Sequence, residues 1–245
     1  MNNNIWHPKQ KPISSLAALS GGAGGMMYIS SAASGDNYSV DFDGSDYLTV
    51  PSSSDLTLGT GDFAIECWVY PDNFTNRGTF YDSRGASSIT GITIGHQASS
   101  GEVRVYMNAN SGSDIIVQSS DLNTGAWQHV AVTRESADVR LFIGGVLKDT
   151  ESSTNRDLNQ DTAVNIGYKS YTSSSFNYFD GKISNLRVVK GSAVYTSAFT
   201  VPTEPLASIT NTKLLCCNGA SVTDATTTPG TITSTGDPSN ATGPF

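Results

Sequence analysis

The chain has 245 residues, of which 37% are hydrophobic and only 15% are charged. This low charged fraction, together with many Ser, Thr and Gly residues, argues against coiled coils and long helices. The 14 basic and 22 acidic residues give a net charge of −8, which makes nucleic acids and anionic membrane surfaces poor partners. No run approaches the roughly 18 consecutive apolar residues that cross a bilayer.

Residues 1–36 differ in composition from the rest of the chain and are predicted to form an N-terminal arm or linker, with one short helix candidate at 14–19. The apolar run at 13–29 is interrupted by serines and by a glycine cluster, so we predict no signal peptide. We expect the arm to dock onto a neighbouring subunit; the alternative is that it covers an edge strand of its own domain. The predicted anchors are Ile5, Trp6, Ile13, Leu16, Leu19, Met26 and Met27.

Short apolar runs separated by turn residues begin at residue 37. The runs 39–42 and 47–50 flank Asp43-Gly44-Ser45-Asp46, which predicts a hairpin because Asp-Gly favours a tight turn. Side chains at 63–70 alternate as in a strand between two layers. Further strands are predicted at 79–82, 89–94, 103–107, 115–118, 127–133, 139–143, 146–148, 164–166, 183–189 and 213–217. Their spacing predicts an all-β, antiparallel two-sheet sandwich or jelly roll.

Residues 218–245 are rich in Thr, Ser, Gly and Pro and contain almost nothing apolar. Such a composition is typical of a segment that does not fold by itself. We therefore predict a domain at 37–217, followed by an irregular C-terminal tail that docks onto neighbouring subunits. The three cysteines, Cys67, Cys216 and Cys217, are too few for a disulfide framework and are expected to be free thiols, as in a reducing cytoplasm.

Six segments in a definite order carry a further pattern. They are 42–44 with 47–48, 62–69, 125–134, 139–142 with 144–145, 165–167 and 179–188. Over about residues 38–217 they resemble the laminin G-like, concanavalin A-like jelly-roll family. The resemblance implies two antiparallel sheets of six or seven strands each, and relatives among glycan-binding lectins, glycoside hydrolases and adhesive modules. The arm, the Ser/Thr-rich connections and the stretch 190–196 resemble versions of this domain in structural proteins of tailed bacteriophages.

The catalytic pattern of hydrolases with this fold is missing from the sequence. Those enzymes use two carboxylates two or four residues apart on one strand, whereas the strand at 63–70 carries only Glu66. We expect Glu66 to pair with a basic neighbour on a solvated sheet face, although it could contact a sugar beside Trp68. His129 lies in a segment that resembles the family's Trp-x-His-Val-Ala pattern, which implies a packing role. We predict no enzymatic activity and no catalytic residue.

Two stretches are candidates for binding. The acidic run 41–46 superficially resembles a calcium loop, but an EF-hand would need a glutamate where Ser52 stands, so the hairpin is preferred. Some laminin G-like domains hold a calcium ion at the rim, but its ligands cannot be assigned here, so no metal and no cofactor are predicted. The aromatic stretch 168–179 supplies the predicted glycan- or partner-binding residues Tyr168, Tyr171 and Tyr178; alternatively, these rings cap the core.

These observations lead to two hypotheses. The first is a non-enzymatic virion structural protein, either a phage capsid decoration or a tail or fibre component, made in the host cytoplasm. Its jelly roll would be displayed on the particle, and its arm and tail would dock onto other virion proteins or copies of itself. The alternative is a carbohydrate-binding adhesion module that recognises cell-surface polysaccharide. The two roles are compatible.

Overall fold

The computed structural model describes residues 37–85, 90–108, 115–152, 156–159, 162–170 and 178–245. All of them belong to one compact unit, Ala32–Phe245. The predicted arm with its seven anchors lies outside the described residues, as does Tyr171. Within these ranges there is no helix long and apolar enough to cross a membrane.

The described residues contain sixteen β-strands. They are β1 (Tyr38–Asp43), β2 (Tyr47–Val50), β3 (Phe63–Pro71), β4 (Gly78–Asp82), β5 (Gly91–His96), β6 (Val103–Asn108), β7 (Ile115–Ser119), β8 (Gln128–Glu135), β9 (Asp138–Ile143), β10 (Val146–Ser152), β11 (Val164–Ile166), β12 (Asp180–Lys190), β13 (Thr212–Cys216), β14 (Ala225–Thr227), β15 (Thr233–Thr235) and β16 (Ser239–Thr242). Every strand predicted from the sequence corresponds to one of β1 to β13.

The strands form two antiparallel sheets. The nine-stranded sheet has the order β10-β9-β8-β3-β12-β1-β16, with β13 beside β12 and β14 beside β13. The seven-stranded sheet has the order β15-β2-β11-β4-β5-β6-β7. Apolar side chains from both sheets, including Phe42, Ile65, Val105 and Leu141, pack into one buried core. The predicted all-β antiparallel sandwich is thus confirmed, and the three cysteines are free and buried as expected.

The turn at 43–46 does not make the predicted hairpin. β1 pairs with β12 and β16 in one sheet, whereas β2 pairs with β11 and β15 in the other. Gly44 has a φ of +87°, and Ser45 N–H donates to Asp43 Oδ1 at 2.9 Å, so the turn is tight as predicted. The turn carries the chain from one sheet to the other. Phe42 before the turn and Leu48 after it both pack into the core between the sheets.

The last segment belongs to the sandwich, in contrast to the predicted tail outside a 37–217 domain. β16 pairs with β1 through Tyr38 opposite Thr242, and β15 pairs with β2 through Thr233 opposite Thr49. Ile232 is buried in the core. Without the tail strands β14, β15 and β16 the two sheets have seven and six strands, the numbers that the resemblance implied. Hydrogen bonds to the neighbouring strands satisfy the backbone N–H and C=O groups of β15 and β16. A segment with few apolar side chains can therefore still be held at the edge of an existing sheet.

Candidate functional site

The outer side of the nine-stranded sheet is covered by the segment that follows β12. Its ring pair Tyr195 and Phe199 stacks with centroids 3.5 Å apart. Tyr195 Oη donates to Glu66 Oε2 at 2.9 Å, and its carbonyl accepts from Thr133 Oγ1 at 2.8 Å. Since Glu66 and Thr133 lie on β3 and β8, this segment lies across the middle of the sheet and closes that area to a ligand.

Glu66 is the centre of a buried polar network below this cover. Its Oε1 accepts hydrogen bonds from Arg187 Nε at 2.9 Å and Nη2 at 2.6 Å, and His129 Nε2 lies 3.0 Å from its Oε2. Glu66 is only 1% exposed and His129 is fully buried. The predicted pairing with a basic neighbour is therefore correct, but the predicted solvated face is wrong, because the covering segment excludes water from it.

The seven-stranded sheet, by contrast, carries a cavity of about 220 Å³. Strand register builds its floor, because residues directly opposite each other on neighbouring strands share one face. Two cross-strand rows of this kind run over β4, β5 and β6. One row consists of Thr79, Gly95 and Arg104, and the other of Thr93 and Tyr106 together with Asp82, which is fully buried and does not line the cavity.

The lining of this cavity is strongly basic. Four cationic side chains and His96 line it together with polar residues, and none of the described lining residues is a carboxylate. The four cations are Arg77, Arg84, Arg104 and Lys169. They come from the loop before β4, the loop after β4, β6 and the loop after β11, so the fold alone brings them together.

Hydrogen bonds hold the cationic side chains in place. Arg84 Nε donates to Asp82 Oδ1 at 3.2 Å, and Arg104 Nη1 donates to Tyr106 Oη at 3.2 Å. Arg104 Nε also pairs with Glu102. The Tyr106 oxygen accepts from Arg104 and from Gln97, which leaves its own O–H free to donate to a ligand.

His96 contributes a different kind of group to the same cavity. It is 3% exposed, and its Nδ1 lies 3.1 Å from the Gln97 carbonyl oxygen. A carbonyl can only accept, so Nδ1 carries the proton and Nε2 holds a lone pair. Burial lowers the pKa of His96, which favours this neutral form. Nε2 is buried without a hydrogen-bond partner among the described residues.

Three tyrosines form an aromatic cluster beside the cavity. Tyr168 and Tyr178 stack with ring centroids 4.5 Å apart, and Tyr47 lies 4.9 Å from Tyr168. Leu48 on β2 faces Ile166 on β11, which brings Tyr47 and Tyr168 together at the ends of these strands. All three rings are half-buried, and Lys169, next to Tyr168, lines the basic cavity.

A second, oxygen-rich cavity of about 120 Å³ adjoins the cluster and shares His96 with the first. Its lining includes Asp43, Asn73, Tyr178 and Asp180.

The carboxylates of Asp43, Asp46 and Asp237 lie within 4.8 Å of one another at the same turn. Such oxygen donors suit a hard cation. The backbone N–H groups that donate to Asp46 from Asp43 and Asp237 also explain this cluster as a loop anchor, so the prediction of no metal stays a prediction.

The structure brings part of the predicted binding group together and adds residues that the sequence analysis missed. Tyr168 and Tyr178 meet as predicted, whereas Phe179 of the same stretch is a fully buried core residue. Tyr47 and the basic residues were not predicted. One local signal was present, because the alternation Val103-Arg104-Val105-Tyr106 places Arg104 and Tyr106 on the polar face of a strand.

Comparison with known proteins identifies the family. The laminin G model of the concanavalin A-like lectin/glucanases superfamily matches residues 42–194. The chain belongs to this superfamily. The match extends from the end of β1 to beyond β12 and so includes every strand that lines the basic cavity, and it confirms the resemblance that the six segments indicated.

Solved structures show the same fold at low sequence identity. A protein of Bacteroides ovatus ATCC 8483 to which carbohydrate binding has been ascribed matches with a TM-score of 0.62 and 17% identity, over 85% of this chain and 60% of its own. A heptameric SAP-like pentraxin from Limulus polyphemus matches with a TM-score of 0.56 and 14% identity, over 84% and 95% of the two chains.

Domains LG4-5 of the mouse laminin α1 chain match with a TM-score of 0.48 and 17% identity, over 68% of this chain and 47% of theirs. The chain spans about three fifths of the length of the Bacteroides protein. No curated protein matches the chain in sequence.

Proposed function

We propose that the protein is a non-enzymatic carbohydrate-binding module whose site is the basic cavity of the seven-stranded sheet together with the Tyr47, Tyr168 and Tyr178 cluster. The observation that carries the proposal is the position of three partly exposed, mutually packed rings at the edge of a polar cavity. Superfamily membership supports it, as does the likeness in fold to the Bacteroides protein.

The arrangement suits a sugar for two reasons. Aromatic rings contact the apolar face of a pyranose, and a tyrosine keeps a hydroxyl at the ring edge for a polar contact. The cavity offers hydroxyl, guanidinium and imidazole groups that can bond to sugar hydroxyls. At about 220 Å³ it is smaller than the roughly 300–1,000 Å³ of a typical ligand pocket, so it suits a single sugar unit of a longer chain that continues over the tyrosines.

The proposed lack of enzymatic activity rests on the burial and the hydrogen-bond partners of two carboxylates, Glu66 and Asp82. Glycoside hydrolysis needs two carboxyl groups facing the bond that breaks. Glu66 is bonded to Arg187, His129 and Tyr195 beneath the covering segment, and Asp82 is fully buried and pairs with Arg84 and Thr93. We therefore expect the protein to bind a polysaccharide without releasing reducing ends from it.

The binding role is tested with tyrosine variants. Tyr168→Ala and Tyr178→Ala should each weaken binding to a glycan found on an array by about fivefold or more, because each removes a stacking surface worth roughly 1 kcal/mol. Tyr70→Ala is the matched control, since Tyr70 lies on β3 of the nine-stranded sheet and packs on Trp127. Isothermal titration calorimetry on folded variants provides the measurement. Equal effects of all three variants, or no glycan bound by the wild type, would contradict the proposal.

The virion role is a second candidate and concerns assembly rather than ligand recognition. Its support is the run of apolar residues in the arm and the exposure of Val146 and Leu147, at 52% and 40%, at the start of strand β10. The C-terminal segment no longer supports it, because that segment pairs with its own sandwich. In this role the jelly roll is displayed on the particle, while the arm holds it to another virion protein or a second copy.

A further inference from the structure

We propose that the cavity of the seven-stranded sheet selects an acidic sugar, that is, a glycan unit carrying a carboxylate or a sulfate ester. This inference rests on the proposed carbohydrate-binding function and names the class of ligand within it. The inference rests on the side chains that line the cavity and on the hydrogen bonds that these side chains can still form with a ligand.

The charge of the cavity lining is opposite to the net charge of the chain. The whole chain carries −8, yet four cationic side chains converge on one small cavity without a carboxylate in its described lining. Gathering like charges in one place is unfavourable unless something offsets it. A structural role for each cation would place a carboxylate partner beside it, so the carboxylate partners of the three arginines are the decisive observation.

Carboxylates offset only part of this charge among the described residues. Arg84 pairs with Asp82, and Arg104 pairs with Glu102. Arg77 is exposed, and no described carboxylate lies within ion-pair distance of it. The lining therefore keeps an excess of positive charge that faces the cavity. Guanidinium groups bind carboxylate and sulfate oxygens well because their planar donors match two acceptor oxygens at once.

His96 requires that the ligand also carry a hydroxyl group. His96 lines the cavity, and its Nε2 is a buried lone pair without a described partner, which an anion cannot satisfy because both groups are acceptors. A hydroxyl can donate to it. A ligand that satisfies both His96 and the arginines must carry a hydroxyl donor and an anionic group within one small unit, which describes an acidic sugar.

The experiment compares glycans that share a backbone and differ in charge. Polygalacturonate and its methyl-esterified form test the carboxylate, and dextran sulfate and dextran test the sulfate ester. Calorimetric titration of the full chain should show at least about tenfold tighter binding to one acidic member than to its neutral partner, in line with hydrogen bonds to charged groups. The pair that shows the preference identifies the acidic group.

Variants locate the effect. Arg77→Gln and Arg104→Gln should each weaken binding to the preferred acidic glycan by about fivefold or more, and by a clearly larger factor than they weaken binding to the neutral partner. Arg140→Gln is the matched control, since it removes the same charge from β9 of the other sheet. A loss with Arg140→Gln equal to that with Arg77→Gln would overturn the inference, because the effect would then arise from overall charge.

The outcomes separate this inference from the proposed function. Equal affinity for charged and neutral members, with a loss on Tyr168→Ala, would overturn the acidic preference and leave the carbohydrate-binding function standing. Binding to none of these four polymers, while an array glycan without an acid group binds, would likewise overturn only the acidic preference. Absence of binding to any glycan would overturn both.

Discussion

At the scale of single residues, Glu66 joins three parts of the chain through two carboxylate oxygens. Burial acts to raise the pKa of Glu66, but the hydrogen bond and charge of His129 and the charge of Arg187 outweigh it and lower the pKa below its usual value. A carboxylate whose pKa is lowered on folding stabilises the protein above its unfolded pKa. That contribution is lost as the pH falls through the folded pKa.

Glu66→Gln should therefore lower the free energy of unfolding at pH 7 by about 3 kcal/mol or more, because Arg187 would remain a buried cation without its counter-ion. Urea denaturation measures the loss. The difference from the wild type should narrow as the pH falls below about 4.3, the ordinary pKa of a glutamate, because Glu66 of the unfolded chain then takes up a proton while the folded carboxylate is still ionised, and it is lost once the pH passes the lower pKa of folded Glu66.

The control for this variant is Glu135→Gln, which removes an exposed carboxylate whose ion pair with Arg140 lies at the surface. Surface pairs contribute little, so this change should stay within about 1 kcal/mol. Losses of equal size in the two variants, or a Glu66→Gln difference that is constant from pH 7 to pH 3, would show that the buried network does not stabilise the fold.

At the scale of elements, the C-terminal strands extend both sheets at their edges. β15 lies beside β2 and β16 beside β1, so each covers a row of backbone groups that would otherwise be open to another chain. The segment ends with Phe245 packed edge-on against Trp68, at 5.6 Å between ring centroids, and with its N–H donated to Asn37 Oδ1. These contacts make the segment a structural part of the domain.

Ile232→Ala tests this role. Ile232 is 4% exposed within the core, so its truncation should lower the free energy of unfolding by about 2–4 kcal/mol through lost burial and the cavity left behind. Thr231→Ala, at the exposed neighbouring position, should change it by less than about 0.5 kcal/mol. Chemical denaturation measures both. Equal stability of the two variants would mean that the segment does not contribute to the core.

At the scale of the whole molecule, the overall acidic charge and the basic cavity act on different partners. A net charge of −8 opposes non-specific adsorption to polyanions and anionic surfaces. Binding of the acidic glycan that we propose would then depend on the local field of one cavity rather than on the surface as a whole. The contrast between an acidic molecule and a basic cavity would favour recognition of a defined acidic sugar unit over general attraction to charged polymers.

Deletion of residues 1–36 tests the assembly role at this scale. The described residues of 37–245 build a buried core among themselves, so the shortened chain should fold and melt within a few degrees of the full chain. If the arm docks onto a neighbour, light scattering coupled to size-exclusion chromatography should give an oligomer for the full chain and a monomer for the shortened one. A full chain that is monomeric, or a shortened chain that melts much earlier, would favour an arm that covers its own domain.

The sequence alone determined which residues form strands β1 to β13 and that they build an antiparallel sandwich, because alternation and turn residues are local properties. It also indicated Tyr168 and Tyr178, which lie in one short stretch. Only the tertiary structure decided that the Asp43-Gly44 turn crosses between sheets, that residues 218–245 fill sheet edges, and that Glu66 is covered. The basic cavity is likewise tertiary, because Arg77 and Arg84 flank β4, Arg104 lies on β6 and Lys169 follows β11, and only the folding of these strands into one sheet makes the four residues neighbours.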